Sequence, residues 1–120
     1  MPTPDPAVAG DDYCYLTTTG RVTGRPHEIE IWFGLEGATL YLLSGGGDGS
    51  DWVKNLRARP ECTVRVREQI FPGRARILDG GEVDARARAM LVEKYQPRYS
   101  GNLDDWGRRS RVVAIDLDAG

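Results

Sequence analysis

From residue 13 the chain turns to short segments in which apolar and polar side chains alternate, the mark of half-buried strands. The pattern predicts strands over 13–19, 27–35 and 39–44. The second is the clearest: Ile29, Ile31 and Phe33 fall on one face, and Glu28, Glu30 and Trp32 on the other. Turn residues separate the three, Gly20 to Gly24 in the first gap and Glu36-Gly37 in the second. Glycines at 45, 46, 47 and 49 end this meander. Ser50 is placed to cap a helix over 51–59, which Pro60 stops. Trp52, Asn55, Leu56 and Arg59 share one face of that helix. Strands over 62–67 and 74–78 follow, with Phe71-Pro72-Gly73 read as the turn between them. A second helix over 82–95 presents Val83, Ala87, Met90, Leu91 and the stem of Lys94 to a core. A final strand covers 111–118. Six strands with two inserted helices predict a mainly β chain with short helices. Its expected form is a partly open, six-stranded antiparallel barrel, in which closure removes exposed strand edges.

Length and composition narrow the class. The 120 residues are one domain by length. Residues 1–12 are proline-rich and acidic and read as a loose arm before a single domain over 13–120. Sixteen basic residues against eighteen acidic leave a charge of -2, which implies no broad attraction to nucleic acid or anionic membrane. The arm holds no apolar run, so neither a signal peptide nor a membrane span is expected, and the cytoplasm is the default location. Cys14 and Cys62 are the only cysteines and His27 the only histidine. Without CxxC spacing or clustered ligands, neither a zinc site nor a structural disulfide is expected.

Two glycine-punctuated turns concentrate the chemistry. The first, T-T-T-G-R-V-T-G-R-P, carries Arg21 and Arg25, whose guanidinium forks suit phosphate or carboxylate. The second, S-G-G-G-D-G-S, opens the first helix; Ser44, Gly45, Gly46, Gly47 and Ser50 could bring backbone N–H groups close to an anion. Asp48 and Asp51 oppose that use, so an anion there requires positive charge from elsewhere. His27 shares a face with Ile29 and reads as an ordinary partly buried histidine or a cofactor-facing ring. Glu28 and Glu30 fit a solvated strand face better than an acid–base pair. Tyr95, Tyr99 and Trp106 read equally as core or as the lining of a pocket for a flat ligand, with a phenol as proton donor. Arg65, Arg67, Arg74 and Arg76 recur at period two on adjacent strands; a solvated sheet face is the better reading than a nucleic-acid track.

Taken together, L-T-T-T-G-R-V-T-G-R-P-H (16–27) and D-W-V-K-N-L-R-A-R-P-E-C-T-V-R-V (51–66) resemble the deazaflavin-dependent nitroreductase and quinone-reductase family. Those proteins are split β-barrel oxidoreductases that use coenzyme F420. The resemblance implies that Arg21, Thr23 and Arg25 lie beside the cofactor's phosphate and acidic tail. It places the backbone of His27, Glu28 and Ile29 along the deazaflavin ring. Ser44 and Gly45 to Gly47 would meet the phosphate region, with Trp52 and Asn55 supporting it from the helix. Tyr95, Tyr99 and Trp106 would face the substrate. The family often has lysine where Val22 stands, arginine at His27 and lysine at Gly45. Fewer positive charges leave FMN open as the alternative cofactor, and a non-catalytic flavin or deazaflavin binder open as the alternative role. The implied partner is a small soluble electron-poor acceptor of quinone, enone or nitro type, which takes a hydride. Pairing of two barrels into a homodimer stays open.

Overall fold

The computed structural model describes residues 6–117. Seven strands form one sheet: β1 (Cys14–Thr19), β2 (Pro26–Ile31), β3 (Gly34–Glu36), β4 (Thr39–Ser44), β5 (Glu61–Val66), β6 (Gln69–Leu78) and β7 (Arg111–Leu117). Three helices interrupt them, α1 (Asp51–Ala58), α2 (Glu82–Tyr95) and α3 (Asp104–Arg109). Every strand pair is antiparallel, in the order β2-β1-β5-β6-β7-β4-β3.

That order makes the sheet curl. Its two edge strands, β2 and β3, are consecutive in the chain and separated only by Trp32 and Phe33. Three Cα–Cα steps span at most about 11 Å, whereas seven strands laid flat would hold their edges about 29 Å apart. The edges therefore approach through the covalent chain rather than through a hydrogen-bonded ladder, which gives the split, half-barrel form.

The seven strands correct the expected six. The predicted strand over 27–35 is two strands, because α2 supplies the partners where the chain crosses between edges. The Phe33 N–H donates to the Tyr95 hydroxyl at 2.9 Å, and the Phe33 carbonyl accepts from Lys94 Nζ at 2.8 Å and the Tyr95 hydroxyl at 3.1 Å. Alternation survives the crossing, and Phe33 is still fully buried. Phe71-Pro72-Gly73 is likewise not a turn but the middle of β6, facing Val64, Thr63 and Cys62 on β5. The reversal falls at Arg67 and Glu68, with Arg67 at φ 54°. Gly73 answers to packing: a Cβ there would lie 2.6 Å from Ile115 Cγ2.

β4 and β7 are buried on both faces, and their alternate residues feed two cores. Leu40, Leu42, Val113, Ile115 and Leu117 point into the curl, where Leu16, Phe33, Val53, Leu56, Val64 and Phe71 join them. Tyr41, Leu43, Val112 and Ala114 point outward and meet Ala87 and Leu91 of α2. The buried stripe of α2 is Asp84, Ala87, Leu91 and Tyr95, rotated from the predicted one, and Val83 is exposed. α3 was not anticipated from the pattern. Of the expected loose arm, Pro6–Gly10 form a 3-10 turn that buries Val8, and residues 1–5 lie outside the described residues, as does Asp118 of the last predicted strand. Among the described residues no helix is long and apolar enough to cross a membrane.

Candidate functional site

A cavity of about 450 Å³ opens where the 20–25 turn, β2 and α1 meet. The turn is closed by its own backbone: Gly20 N–H donates to Arg25 carbonyl at 2.8 Å, and Gly24 N–H to Gly20 carbonyl at 2.9 Å. Gly24, at φ 74°, takes a conformation that side chains disfavour. Gly20 lets the His27 ring lie close, since a Cβ there would come 2.7 Å from His27 Nε2 and move that ring.

Asn55 joins this turn to α1. It is 4% exposed, and its Oδ1 accepts from the Arg21 N–H at 3.2 Å and from Arg21 Nη1 at 2.8 Å. Its Nδ2 donates to Thr18 Oγ1 on β1 at 3.1 Å. A buried amide with both ends used is a rigid clamp. Arg21 Nη2 reaches the Asp51 carboxylate at 3.2 Å. The guanidinium is thus oriented by α1 rather than left to solvent.

Of the sequence-predicted cofactor residues, Arg21, Thr23, His27, Glu28, Ile29, Trp52 and Asn55 all line this one cavity. Thr18, Gly20, Val22 and Asp51 line it too. Thr18 could have been found, because it continues the inward series Cys14, Leu16 on β1. Charge on the lining is mixed: Arg21 against the carboxylates of Glu28 and Asp51. Trp52 packs its ring against the inner core and gives the cavity an apolar wall with Ile29. β2 is a sheet edge, so on the side away from β1 its backbone N–H and carbonyl groups face no strand.

Ser44 and Gly45 to Gly47 do not line the cavity. Ser44 Oγ donates to the Gly47 carbonyl at 2.9 Å and lies 2.7 Å from Ser50 Oγ, so Ser50 closes the glycine turn instead of capping α1 with its side chain. Gly45 faces Trp106, with a Cβ there 3.7 Å from the indole Cδ1. Asp48, in the same turn, is held at 2.7 Å by Arg57 and at 2.9 Å by Arg111; both bonds keep its carboxyl below the usual range. Arg25 is exposed and does not line the cavity; its backbone N–H donates to Thr23 Oγ1 at 3.2 Å.

The tail aromatics converge on Trp32 but differ in burial. Tyr95 is buried, stacks on Trp32 at 4.3 Å, and spends its hydroxyl on Phe33 and the Asp12 carbonyl; burial pushes its pKa up to about 12. Such a phenol is a structural strut and not a proton donor for a ligand. Tyr99 is 48% exposed and meets Trp32 edge-on at 5.9 Å, as Trp106 does at 5.5 Å. This Trp32-centred cluster was missed because alternation assigned Trp32 to the same face as the glutamates. The basic stripe is paired: Arg65 lies over the Tyr15 ring at 4.2 Å, Arg67 meets Asp11 at 2.6 Å, Arg74 meets Glu61, and Arg76 meets Asp116 at 2.7 Å. Among the described residues no cluster of three or more acidic, histidine or cysteine side chains could hold a metal.

The fold recurs in solved structures. An F420-H2 dependent reductase aligns with a TM-score of 0.72 at 20% identity, over 88% of this chain and 94% of that one. A conserved hypothetical protein of Mycobacterium tuberculosis aligns at 0.73 and 20% identity, over 97% and 81%. A FAD-binding protein of Mesorhizobium loti aligns at 0.71 and 17% identity, over 92% and 82%. At these identities the likeness shows the fold. A sequence model of the F420H(2)-dependent quinone reductases matches residues 6–114, nearly the whole chain, and so this protein belongs to that family, whose cofactor is the deazaflavin coenzyme F420.

Proposed function

We propose that this chain is a cytoplasmic oxidoreductase in which the cavity between the Arg21 turn, β2 and α1 holds coenzyme F420 for hydride transfer to an electron-poor organic acceptor of quinone, enone or nitro type. The observation that carries the reading is the joining of Arg21 to Asn55 across a cavity with an apolar wall and an open strand edge. These features fit the cofactor's parts. A flat ring can lie against Ile29 and Trp52, its polar rim can meet the unpaired backbone of β2, and its anionic end can meet Arg21. When bound, F420 supplies the two-electron chemistry, so no nucleophile or triad is required of the protein.

The chain's own residues then orient and exclude. Asn55 fixes the Arg21 fork, so the charge stands ready before a ligand arrives. Trp52 and Ile29 keep water from one side of the cavity. Of the two tail tyrosines only Tyr99 has an exposed ring, and we assign protonation of the reduced acceptor to Tyr99 or to water. Glu28 and Asp51 on the lining favour a less highly charged ligand, which keeps FMN as the second reading. Self-pairing as a homodimer belongs to the same proposal; light scattering that gives the monomer mass of 13.3 kDa at every concentration contradicts it.

Fluorescence titration with F420 and with FMN, followed by anaerobic oxidation of reduced F420 with a soluble quinone, tests the function. The expected result is saturable F420 binding and quinone-dependent loss of the reduced cofactor. Tight FMN binding with nicotinamide-driven turnover and none from F420 selects the second reading. Binding of either coenzyme with no turnover selects the non-catalytic binder.

A further inference from the structure

We infer that Asp51 is a displaceable counter-ion of Arg21, and that the anionic group of the bound cofactor takes its place. The inference rests on the functional reading above and adds how the same site controls entry of charge. Arg21 is the only arginine or lysine lining the cavity among the described residues, and its two polar neighbours differ in kind. Asn55 is neutral, 4% exposed, and anchored on its other side by Thr18. It cannot leave without orphaning a buried amide. Asp51 carries the compensating charge from a side chain that is 86% exposed, and among the described residues its carboxylate takes only the bond from Arg21 Nη2 at 3.2 Å. It can swing into water at little cost, because an exposed ion pair contributes little.

Asp48, three positions earlier, shows the opposite design. Two arginines, Arg57 and Arg111, hold it, and it lies off the cavity. The two carboxylates that flank the helix entrance therefore do different things: Asp48 ties the glycine turn down, and Asp51 screens Arg21. A phosphate diester offers the guanidinium fork two oxygens that share one negative charge, as the Asp51 carboxylate does, so what lets it displace Asp51 is delivery at high local concentration. A ring already seated on Ile29 and Trp52 provides that delivery; a free anion in solution does not. Asp51 thus makes occupancy of the arginine conditional on occupancy of the apolar wall.

Asp51→Asn tests this directly. Wild type and variant are titrated with F420, and with its phosphate-free 8-hydroxy-5-deazariboflavin core, at low and high ionic strength. F420 is expected to bind the variant about threefold to fivefold more tightly at low salt, with the gap closing at high salt. The phosphate-free core is expected to bind both proteins alike, within about twofold. Unchanged or weaker F420 binding by the variant overturns the counter-ion. An equal gain for the phosphate-free core also overturns it, because Asp51 would then be blocking space. Asp51→Ser, which shortens the side chain as well as removing the charge, must tighten F420 in the same direction or the inference fails. Failure of the wild type to bind either F420 or FMN overturns the functional reading itself, a result distinct from the others.

Discussion

Lys94 shows how much one side chain can shape the behaviour of the whole protein. Burial above all, with Arg98 beside it, pulls its pKa down to about 8, while Asp12, Cys14 and Asp11 act the other way. A lysine whose folded pKa lies below its unfolded value destabilises the fold while it is protonated, and that loss is relieved as pH rises above about 8. Burial pushes Cys14 and Cys62 the opposite way, up to about 12 from 9.0. Their stabilising contribution is whole below 9 and fades as pH climbs toward their folded values. Unfolding free energy is therefore expected to rise between about pH 8 and pH 9 and to fall beyond it. Denaturant titrations across that range check the shape. Lys94→Met should abolish the rising limb and keep the fall; a rise that persists in the variant refutes the assignment. Nothing in the sequence flagged Lys94 as unusual beyond its buried stem, because its carbonyl partner, Phe33, lies 61 positions away, between β2 and β3.

Elements are held by a few buried polar clamps. Asp84 on α2 accepts from Gly80 N–H at 3.1 Å and from Arg88 Nε at 2.5 Å, and Arg88 goes on to the Gly107 and Arg108 carbonyls of α3 at 3.0 Å. Burial alone would raise Asp84, but Arg88 and the Gly80 N–H outweigh it and hold the carboxyl below its usual range. Its stabilisation is present above the unfolded carboxylate pKa and is lost as pH falls through the folded value. Asp84→Asn should cost about 2 kcal/mol at neutral pH and flatten the acid limb of the stability curve, read by denaturant unfolding. The Asn55 clamp makes a comparable forecast between α1 and β1: Asn55→Ala should cost about 2 kcal/mol, read the same way, and weaken F420 binding, because Arg21 loses its orientation. Short segments bounded by turn residues made β1 and β4 legible, and proline and glycine placed the start and stop of α1. The split of 27–35 and the continuity of β6 through Pro72 were not legible. In each case the decisive partner is remote in sequence: Tyr95 and Lys94 for Phe33, and Ile115 for Gly73.

At the scale of the molecule, the curl of the sheet decides where chemistry can occur. Covalent linkage of the two edge strands leaves β2 open on one side, and α1 approaches it through the Arg21 turn. The resemblance carried by 16–27 and 51–66 located both sides of this cavity, because those two segments build it together. It did not place the glycine turn, which faces Trp106 and closes on its own serines; loop composition alone does not reveal direction. The proposed function requires that Arg21, aimed by Asn55, receive the anionic end of the redox cofactor. Equilibrium fluorescence titration of Arg21→Ala with F420, beside wild type, tests it most directly. A loss of about tenfold or more in affinity with unchanged secondary structure is the predicted result. Equal affinity in a folded variant would contradict the claim.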